Sequence, residues 1–324
     1  MPLVLFPKRL YRKKTSSYEV PMAEFEKRLP KLGQDYIEKM RLPQKLAFTK
    51  MEGIGNDYVY VWFEDLDTPL TDPAPLAIFM SDRNYGVGGD GLVLIGKSKK
   101  ADFRMRMFNN DGSEGNMCGN ASRCVGKFLY EHGHTGKTNI TLETKSGIRT
   151  LELTLENNKV ASVTVDMGKP IVKPADIPMK ANGETFINQE ILVNGSCIKG
   201  TGVSMGNPHF VVTMHDIASL DLPAFGPLFE YHELFPERVN TEFIEVLSRQ
   251  KVRMRVWERG SGETLACGTG ACAVLVACVL NNYTDKKAIV ELRGGELVIE
   301  WADDGIVYMT GPAREVFSGE IELI

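Results

Sequence analysis

The sequence has 324 residues, of which 43% are hydrophobic and 25% are charged. These fractions are typical of a globular chain and exclude a collagen-like, coiled-coil or wholly disordered protein. Lys and Arg number 38 against 42 Asp and Glu, so the net charge is -4. Because nucleic-acid binders carry a basic excess, we expect no nucleic-acid partner.

The sequence predicts neither membrane insertion nor export. Its longest apolar run, residues 271–280, is about half of the roughly 20 residues that a membrane span needs. Apolar Val4, Leu5 and Phe6 precede the basic residues that follow them, which reverses the order found in a signal peptide. The six cysteines include no Cys-x-x-Cys pair, so we expect reduced thiols and a cytoplasmic protein.

The sequence predicts that residues 1–45 form an N-terminal extension that is separate from the rest of the chain. It is basic at first and then reads as a short amphipathic helix interrupted by Pro30 and Pro43. It contains no motif that carries chemistry.

From Leu46 onward the sequence repeats itself at about 150 residues. Residues 104–108 match residues 253–257, and at the same offset of 149 Cys118 falls on Cys267. Two upstream blocks match in the same order, namely 53–61 with 204–212 and 87–95 with 239–247. The repeat predicts two similar halves, 46–165 and 166–312, with a C-terminal strand, 313–324, that joins the first half.

Each half reads as strands, a loop that ends in the cysteine, one helix and a hairpin. The helices are predicted over 119–131 and 268–281, and the second is apolar enough to be buried. Alternating residues in 149–167 and 296–310 flank Asn-Asn and Asp-Asp-Gly, which predicts two hairpins. The predicted fold is therefore α+β, with two pseudo-symmetric domains that each wrap a curved, mostly antiparallel sheet around a central helix.

Three short patterns resemble ligand motifs, but their context argues against each function. GVGGDG at 86–91 precedes a strand-like run instead of opening a helix, so it does not predict a dinucleotide site. GHTGKT at 133–138 follows a helix and lacks the first glycine of a phosphate loop. His132 and His134 have no further ligand at an accepted spacing, so we expect no metal site.

The strongest signal is a pair of loops, 109–124 and 258–273, which both place a cysteine directly before a Gly-polar step that opens a helix. The positive end of a helix can lower the pKa of such a thiol below about 8.5 and can hold a carboxylate. Buried cysteines in tight turns are the structural alternative. Two thiols that face one carbon would suit stereoinversion, in which one base removes a proton and the other returns one to the opposite face.

These loops are similar to those of the diaminopimelate epimerase family, cofactor-independent enzymes that interconvert LL- and meso-diaminopimelate for lysine and peptidoglycan supply. The resemblance runs from about Leu46 to Ile324 and rests on GNDY, NYGVGGDG, FNNDGSEGNMCGNASRC, SMGNPHF, RVNTEF, ERGSGETLACGTGACA and YMTGPA. It implies a small-molecule substrate, no cofactor, no metal and a homodimer.

The resemblance also implies roles for particular residues. Cys118 and Cys267 would be the acid and base, and His209 and Glu258 would assist them. The reacting carboxylate would be bound by Gly119, Asn120, Gly268 and Thr269. The remaining substrate-binding positions fall on Asn56, Asn109, Asn207, Asn240, Glu258 and Arg259, of which Arg259 can grip a distal carboxylate.

The chain departs from the family pattern at two positions. Ala121 replaces the glycine that usually follows Cys-Gly-Asn, which is harmless if the residue is helical and strained if its φ is positive. Gly91 stands where some relatives carry a glutamine that contacts the substrate.

Three alternative functions stay open at this point. A racemase of another amino acid would share the architecture. A cysteine hydrolase, with Cys118 as nucleophile and His209 as base, leaves Cys267 unexplained. A noncatalytic amino-acid binder would tolerate serine at both cysteines.

Overall fold

The computed structural model describes residues 32–67 and 71–323, so most of the predicted N-terminal extension lies outside the described residues. Helix α1 (Gln34–Lys39) precedes the first half, whose elements in chain order are β1 (Lys45–Gly53), β2 (Asn56–Trp62), α2 (Ala74–Ser81), β3 (Gly91–Lys97), β4 (Phe103–Asn109), β5 (Glu114–Gly115), α3 (Gly119–Glu131), β6 (Asn139–Thr144), β7 (Gly147–Glu156) and β8 (Lys159–Asp166).

The second half repeats the order from β1 to β8, with one additional strand before the repeat and one after it. Its elements are β9 (Gln189–Val193), β10 (Ser196–Ser204), β11 (Pro208–Thr213), α4 (Leu222–Glu230), β12 (Asn240–Ser248), β13 (Lys251–Glu258), β14 (Gly262–Glu263), α5 (Gly268–Leu280), β15 (Lys287–Leu292), β16 (Gly295–Trp301), β17 (Val307–Gly311) and β18 (Arg314–Glu322). Short 3-10 turns lie at Pro174–Asp176 and Ile217–Ser219.

The strands form one continuous ladder that is mostly antiparallel, as predicted. Its order is β18-β1-β2-β3-β4-β6-β7-β8-β17-β16-β15-β13-β12-β11-β10-β9. The parallel pairs are β2–β3 and β4–β6 in the first half and their counterparts β11–β12 and β13–β15 in the second. The antiparallel pair β8–β17 joins the two halves at the middle.

Each sheet curves around its own helix, and the two helices share one hydrophobic core. Helix α3 contacts β1, β2, β7 and β8, whereas α5 contacts β10, β11, β12, β15, β16 and β17. Ala121 of α3 and Ala271 of α5 belong to the same buried cluster as Met309 of β17. The predicted α+β fold with two similar domains is therefore confirmed.

Further layers cover the outer faces of the two sheets. In the first half, Met40 of α1 and Met80 of α2 pack with Val59 and Leu94. In the second half, Phe229 of α4 packs with Phe210 and Phe243, among others. The central strands are consequently buried on both faces, which fixes the side chain alternation on which the functional site depends.

The predicted helices and hairpins agree closely with the structure. Helix α3 spans the predicted 119–131, and Gly133 after it has a φ of +76° that ends the helix. Asn157 and Asn158 both have positive φ, as the tight turn between β7 and β8 requires. Gly305, with a φ of +84°, turns the chain between β16 and β17.

One alignment made from the sequence is wrong. In the structure Leu92 lies opposite Phe108 and Thr241 lies opposite Trp257, so Leu92 and Thr241 are the equivalent residues. The offset is 149, as elsewhere in the repeat, whereas the blocks 87–95 and 239–247 imply three residues more. Short apolar runs can be matched at several offsets, whereas pairing with the next strand sets the register.

Strand β18 returns to the first half, where it pairs with β1 from Lys45 opposite Glu322 to Glu52 opposite Arg314. We propose that the chain divides into the halves 46–165 and 166–312, with 313–324 added to the first, because the ladder crosses between them only at β8–β17 within the described residues.

Candidate active site

The starts of the two central helices meet at the junction of the halves. Cys118 and Cys267 are the N-cap residues of α3 and α5, and both have extended backbone. A Cβ atom added to Gly119 would overlap Met309 Cε at 2.4 Å, and one added to Gly268 would lie 3.1 Å from Met309 Sδ, so the glycines leave room for this side chain between the helix starts. The meeting point is therefore built from backbone N–H groups and two thiols.

Both thiols line one cavity of about 370 Å³. A second cavity of about 620 Å³ adjoins it, and both are lined by Asn56, Tyr58, Asn109, Glu258 and Ala266. The first cavity is also lined by the predicted binding residues Gly119, Asn120, Asn207, Arg259, Gly268 and Thr269. Most of the candidate residues thus come together around a single cavity.

Amide side chains surround Cys118. Its Sγ lies 3.4 Å from Asn56 Oδ1, which also accepts a bond of 3.4 Å from Asn120 Nδ2. Asn56 is itself held by Asp90, whose carboxylate accepts from Asn56 Nδ2 at 2.7 Å. Arg123 donates to Asn120 Oδ1 at 2.9 Å, and this guanidinium is fully buried.

A different set of groups surrounds Cys267. Its Sγ accepts a hydrogen bond of 3.3 Å from Gly270 N and lies 3.6 Å from Thr269 Oγ1. Asn207 Nδ2 is 3.4 Å from the same hydroxyl, and Asn207 Oδ1 is 3.0 Å from His209 Nε2. His209 is fully buried and lies behind Asn207 rather than on the wall of the cavity.

The expected lowering of the thiol pKa values is wrong. Burial raises the pKa of Cys118, although the backbone N–H groups of Ala121 and Asn120 oppose the rise. Burial also raises the pKa of Cys267 well above its ordinary value, and the charges of Glu258 and Glu242 add to this effect. Desolvation therefore outweighs the effect of the helix ends on both thiols.

Glu258 ends strand β13 and faces both thiols. Burial raises the pKa of Glu258, while hydrogen bonds from Thr264 and Cys267 oppose the rise. Its counterpart at the end of β4 is Asn109, whose Nδ2 donates to Ser113 Oγ at 2.9 Å. The two thiols therefore have unlike neighbours at equivalent positions.

Arg259 lines the first cavity, whereas Asn240 lies behind it and lines neither cavity. Asn240 is buried, donates to Pro208 O at 3.0 Å and accepts from the backbone N–H of Arg259 at 2.9 Å. The Arg259 side chain is exposed, and its Nη1 donates to Glu237 O at 2.8 Å. Asn240 thus holds the backbone of the loop that carries the guanidinium.

The two departures from the family pattern have physical explanations. Ala121 lies inside α3 and is fully buried, and it has no positive φ, so alanine fits without strain. A Cβ at Gly91 would overlap the carbonyl oxygen of Phe108 and come within 2.7 Å of the Tyr58 ring. No side chain can be accommodated there, so the glutamine contact has no equivalent at this position.

Sequence reasoning missed three charged residues that support the site, namely the partly exposed Asp90 and the buried Arg123 and Glu242. Asp90 stands inside the glycine-rich segment 86–91, whose pattern points to no role for its carboxylate. Arg123 and Glu242 stand within a helix and a strand, where periodicity gave no reason to separate them from neighbouring charges. The burial of Arg123 and Glu242, and the bond from Asn56 to Asp90, are visible only in the packed structure.

The described residues contain no group of three or more His, Cys, Asp and Glu side chains placed to hold a metal ion. In the same part of the chain, no helix is both long and apolar enough to cross a membrane.

The fold belongs to a class of two-domain proteins that includes amino-acid epimerases and racemases. A hydroxyproline epimerase from Agrobacterium vitis matches with a TM-score of 0.62 at 15% identity, covering 87% of this chain and 94% of that one. A probable proline racemase from Agrobacterium radiobacter matches with a TM-score of 0.63 at 16% identity, covering 86% and 93%.

The chain belongs to the diaminopimelate epimerase family, whose model matches residues 48–173 and 201–316. A diaminopimelate epimerase of Agathobacter rectalis is 54% identical over 288 residues, which cover 86% of this chain and 100% of that protein. One from Desulfovibrio desulfuricans is 56% identical over 282 residues, covering 85% and 98%. The membership inferred from the sequence motifs is thus confirmed.

Proposed function

We propose that the protein is an isomerase that interconverts LL- and meso-diaminopimelate without a cofactor. The observation that carries the proposal is the placement of Cys118 and Cys267 on one cavity, each at the start of a central helix. The family and its similar members, which are named diaminopimelate epimerases, supply the substrate. Lysine and peptidoglycan precursor synthesis is the pathway that such an activity serves.

The two helix starts supply a cradle for the carboxylate of the reacting amino acid. Their N–H groups, with the side chains of Asn120 and Thr269, present donors to an anion. The negative charge that develops when the α-proton leaves is delocalised into this carboxylate, so the same donors stabilise it. The cradle thereby orients the α-carbon and lowers the barrier to proton removal.

Stereoinversion then uses one thiolate and one thiol. The thiolate takes the α-proton, the C–H bond breaks, and its electron pair stays on the substrate as a carbanion. The opposite thiol gives its proton to the other face of the carbon and becomes the thiolate. The protein finishes with the ionisation of Cys118 and Cys267 exchanged, so the reverse reaction uses the same groups.

The remaining polar residues select the distal end of the substrate. Asn109, Asn240 and Arg259 lie at positions that the family resemblance assigns to substrate binding, and the Arg259 side chain is exposed. A guanidinium can bind a carboxylate through two parallel hydrogen bonds. This feature favours a substrate with a second amino-acid head over one with an apolar side chain.

The test is isotope exchange by the purified full-length protein. LL-diaminopimelate in deuterium oxide should gain deuterium at the α-carbon as the meso isomer forms, measured by NMR and chiral chromatography. Cys118→Ala and Cys267→Ala should each lower turnover by at least about 100-fold. Cys197→Ala is the matched control, because Cys197 is exposed and lies outside the cavity.

Two outcomes would overturn parts of the proposal. Full activity in either active-site variant would contradict the two-thiol mechanism. Faster exchange with lysine, histidine or glutamate than with diaminopimelate would leave the mechanism intact but reassign the substrate.

We further propose that the protein is a cytoplasmic homodimer. Strand β18 pairs on one side only within the described residues, and its Val316 and Phe317 are about half exposed. An exposed edge strand with apolar side chains can pair with a second copy. Light scattering should give twice the monomer mass, and Phe317→Lys should lower it.

A further inference from the structure

Glu242 is a buried carboxylate in the second half to which the family resemblance assigns no role. It lies on β12 opposite Val211 of β11 and has no exposed surface. Its Oε1 is 2.7 Å from His209 Nδ1, and its Oε2 has no hydrogen-bond partner in the described part of the chain. Burying a carboxylate costs free energy unless a partner compensates, so its presence needs a reason.

Packing does not supply that reason, because the first half has an apolar residue at the same position. Leu92 of β3 is equivalent to Thr241 of β12, as the strand register shows. The residues that follow them, Val93 and Glu242, are therefore equivalent as well. Val93 is fully buried in the same layer. The residue on the neighbouring strand differs as well. In the first half Tyr58 of β2 lies beside β3, and in the second half His209 of β11 lies beside β12. The carboxylate and imidazole thus replace a valine and a phenol.

The hydrogen bonds of His209 define its protonation. Nδ1 faces the Glu242 carboxylate, and Nε2 faces Asn207 Oδ1 at 3.0 Å. Asn207 Nδ2 is directed at Thr269 Oγ1 at 3.4 Å, which leaves its oxygen toward the ring. A carboxylate and an amide oxygen are both acceptors, so the two contacts are both satisfied when both ring nitrogens of His209 carry protons.

This pair lies next to the second thiol. A Cβ added to Gly270 would be 2.7 Å from Glu242 Oε1 and 3.1 Å from Cys267 Sγ, so both groups border the first turn of α5. Glu258 of β13 is the other ionisable group that faces Cys267. The positive end of α5 adds to the stabilisation of the Glu242 carboxylate.

We propose that Glu242 is a positioning residue that keeps His209 doubly protonated and, through His209, holds the Asn207 amide with its NH₂ group toward Thr269 and the bound carboxylate. Only the last step, the aim of Asn207 at substrate, rests on the proposed function. Among the described residues, this series of Glu242, His209 and Asn207 exists in the second half alone. The two sides of the pseudo-symmetric site are therefore chemically different.

The first experiment reads the protonation of His209 directly. The full-length protein is labelled with ¹⁵N-histidine, of which the chain has 5, and His209→Gln identifies the resonances. We expect two protonated ring nitrogens on His209 near pH 7, whereas a neutral imidazole would have one. Glu242→Gln should leave one ring nitrogen without a proton. A neutral ring in the unmodified protein would overturn the proposal even if the variant does not fold.

Kinetics then test the consequence for substrate. Glu242→Gln should lower kcat/KM for diaminopimelate about 10- to 100-fold, the range expected when one charged hydrogen bond is lost. Glu245→Gln is the matched control, because Glu245 lies three residues further along β12 and pairs with Arg253 outside the site. Equal kcat/KM in Glu242→Gln and the unmodified protein would contradict the positioning role.

The two experiments separate this inference from the proposed function. The resonances are recorded without substrate, so doubly protonated His209 in a protein that does not epimerise diaminopimelate would refute the function and leave the ion pair standing. Epimerisation by a protein with neutral His209 would support the proposed function and refute the ion pair.

Discussion

Ala121 and Gly270 occupy the same position in the two central helices, as the third residue of each, but only the first position has room for a methyl group. Ala121 is fully buried without strain, whereas a Cβ at Gly270 would press on Glu242 Oε1 and Cys267 Sγ. The second helix start is thus crowded by the groups that surround its thiol, and the first is not.

The first prediction exchanges these two residues. Ala121→Gly should destabilise the protein by about 1–2 kcal/mol, because glycine in a helix costs about 1 kcal/mol and a buried methyl group is lost. Gly270→Ala should destabilise it more and should also lower epimerisation, since Glu242 or Cys267 has to move. Urea denaturation and the isotope-exchange assay measure these effects. A Gly270→Ala variant with normal turnover would contradict the crowding.

The second prediction concerns thiol reactivity. Because burial raises the pKa of both active-site thiols, alkylation by iodoacetamide should still be accelerating above about pH 9.5, where an ordinary thiol, which is half ionised near pH 8.5, levels off. Cys118 should react before Cys267, since it is partly exposed and Cys267 is buried. A Cys197→Ser background removes the exposed thiol, and mass spectrometry maps the sites. A rate that levels off below about pH 8 would contradict the raised pKa values.

The third prediction separates the charge of Glu258 from its shape. After burial, the Glu258 charge is the largest cause that raises the pKa of Cys267, so Glu258→Gln should move Cys267 alkylation to lower pH. Turnover should nevertheless fall about 10- to 100-fold, because the charged hydrogen bonds with Thr264 and Cys267 are lost. Asn109→Asp places a carboxylate at the equivalent position in the first half and should shift Cys118 alkylation the opposite way.

The fourth prediction tests how the distal end of the substrate is held. Arg259→Lys keeps the charge but loses the planar fork, so KM for diaminopimelate should rise about tenfold with little change in kcat. Arg293→Lys serves as a control, because Arg293 pairs with Glu263 and is not part of the cavity wall. Equal losses in kcat and kcat/KM would instead show that Arg259 makes its interaction only in the transition state.

The sequence predicted the helices and thiols well because local rules determine them. The helix starts follow from Cys-Gly steps that recur at one offset, and Gly133 and Asn157 end their elements through positive φ. Buried carboxylates follow from long-range register instead. Glu242 and Glu245 lie three residues apart on β12 and therefore face opposite sides of the sheet, but only the packed structure shows that Glu242 is fully buried and Glu245 is not.

His209 illustrates the same limit. Its motif placed it near the thiols, and the structure places it behind Asn207, to which it is hydrogen-bonded, with no exposed surface. Sequence spacing gives which residues share a strand face, but it does not give the order in which side chains stack between the core and the cavity. That order depends on how closely α5 packs against β11 and β12.

The last prediction follows from the thiols inside the helices. Burial raises the pKa of Cys124 and that of Cys278 to about 12. An unfolded thiol loses its proton near pH 8.5, so between about pH 8.5 and 12 the unfolded chain releases protons that the folded chain retains. The stabilisation from each protonated thiol is complete below pH 8.5 and is lost as pH rises, by up to about 1.4 kcal/mol per pH unit.

Cys278→Ala removes one of these groups without adding another ionisable side chain. Its cavity lowers stability by a similar amount at every pH, whereas the decline of stability with pH should become shallower by up to about 1.4 kcal/mol per unit. Urea denaturation at several pH values from about 8 to 10 measures the decline. Cys197→Ala, at an exposed thiol, should leave the slope unchanged. Parallel curves for Cys278→Ala and the unmodified protein would show that the buried thiol titrates alike in the folded and unfolded states.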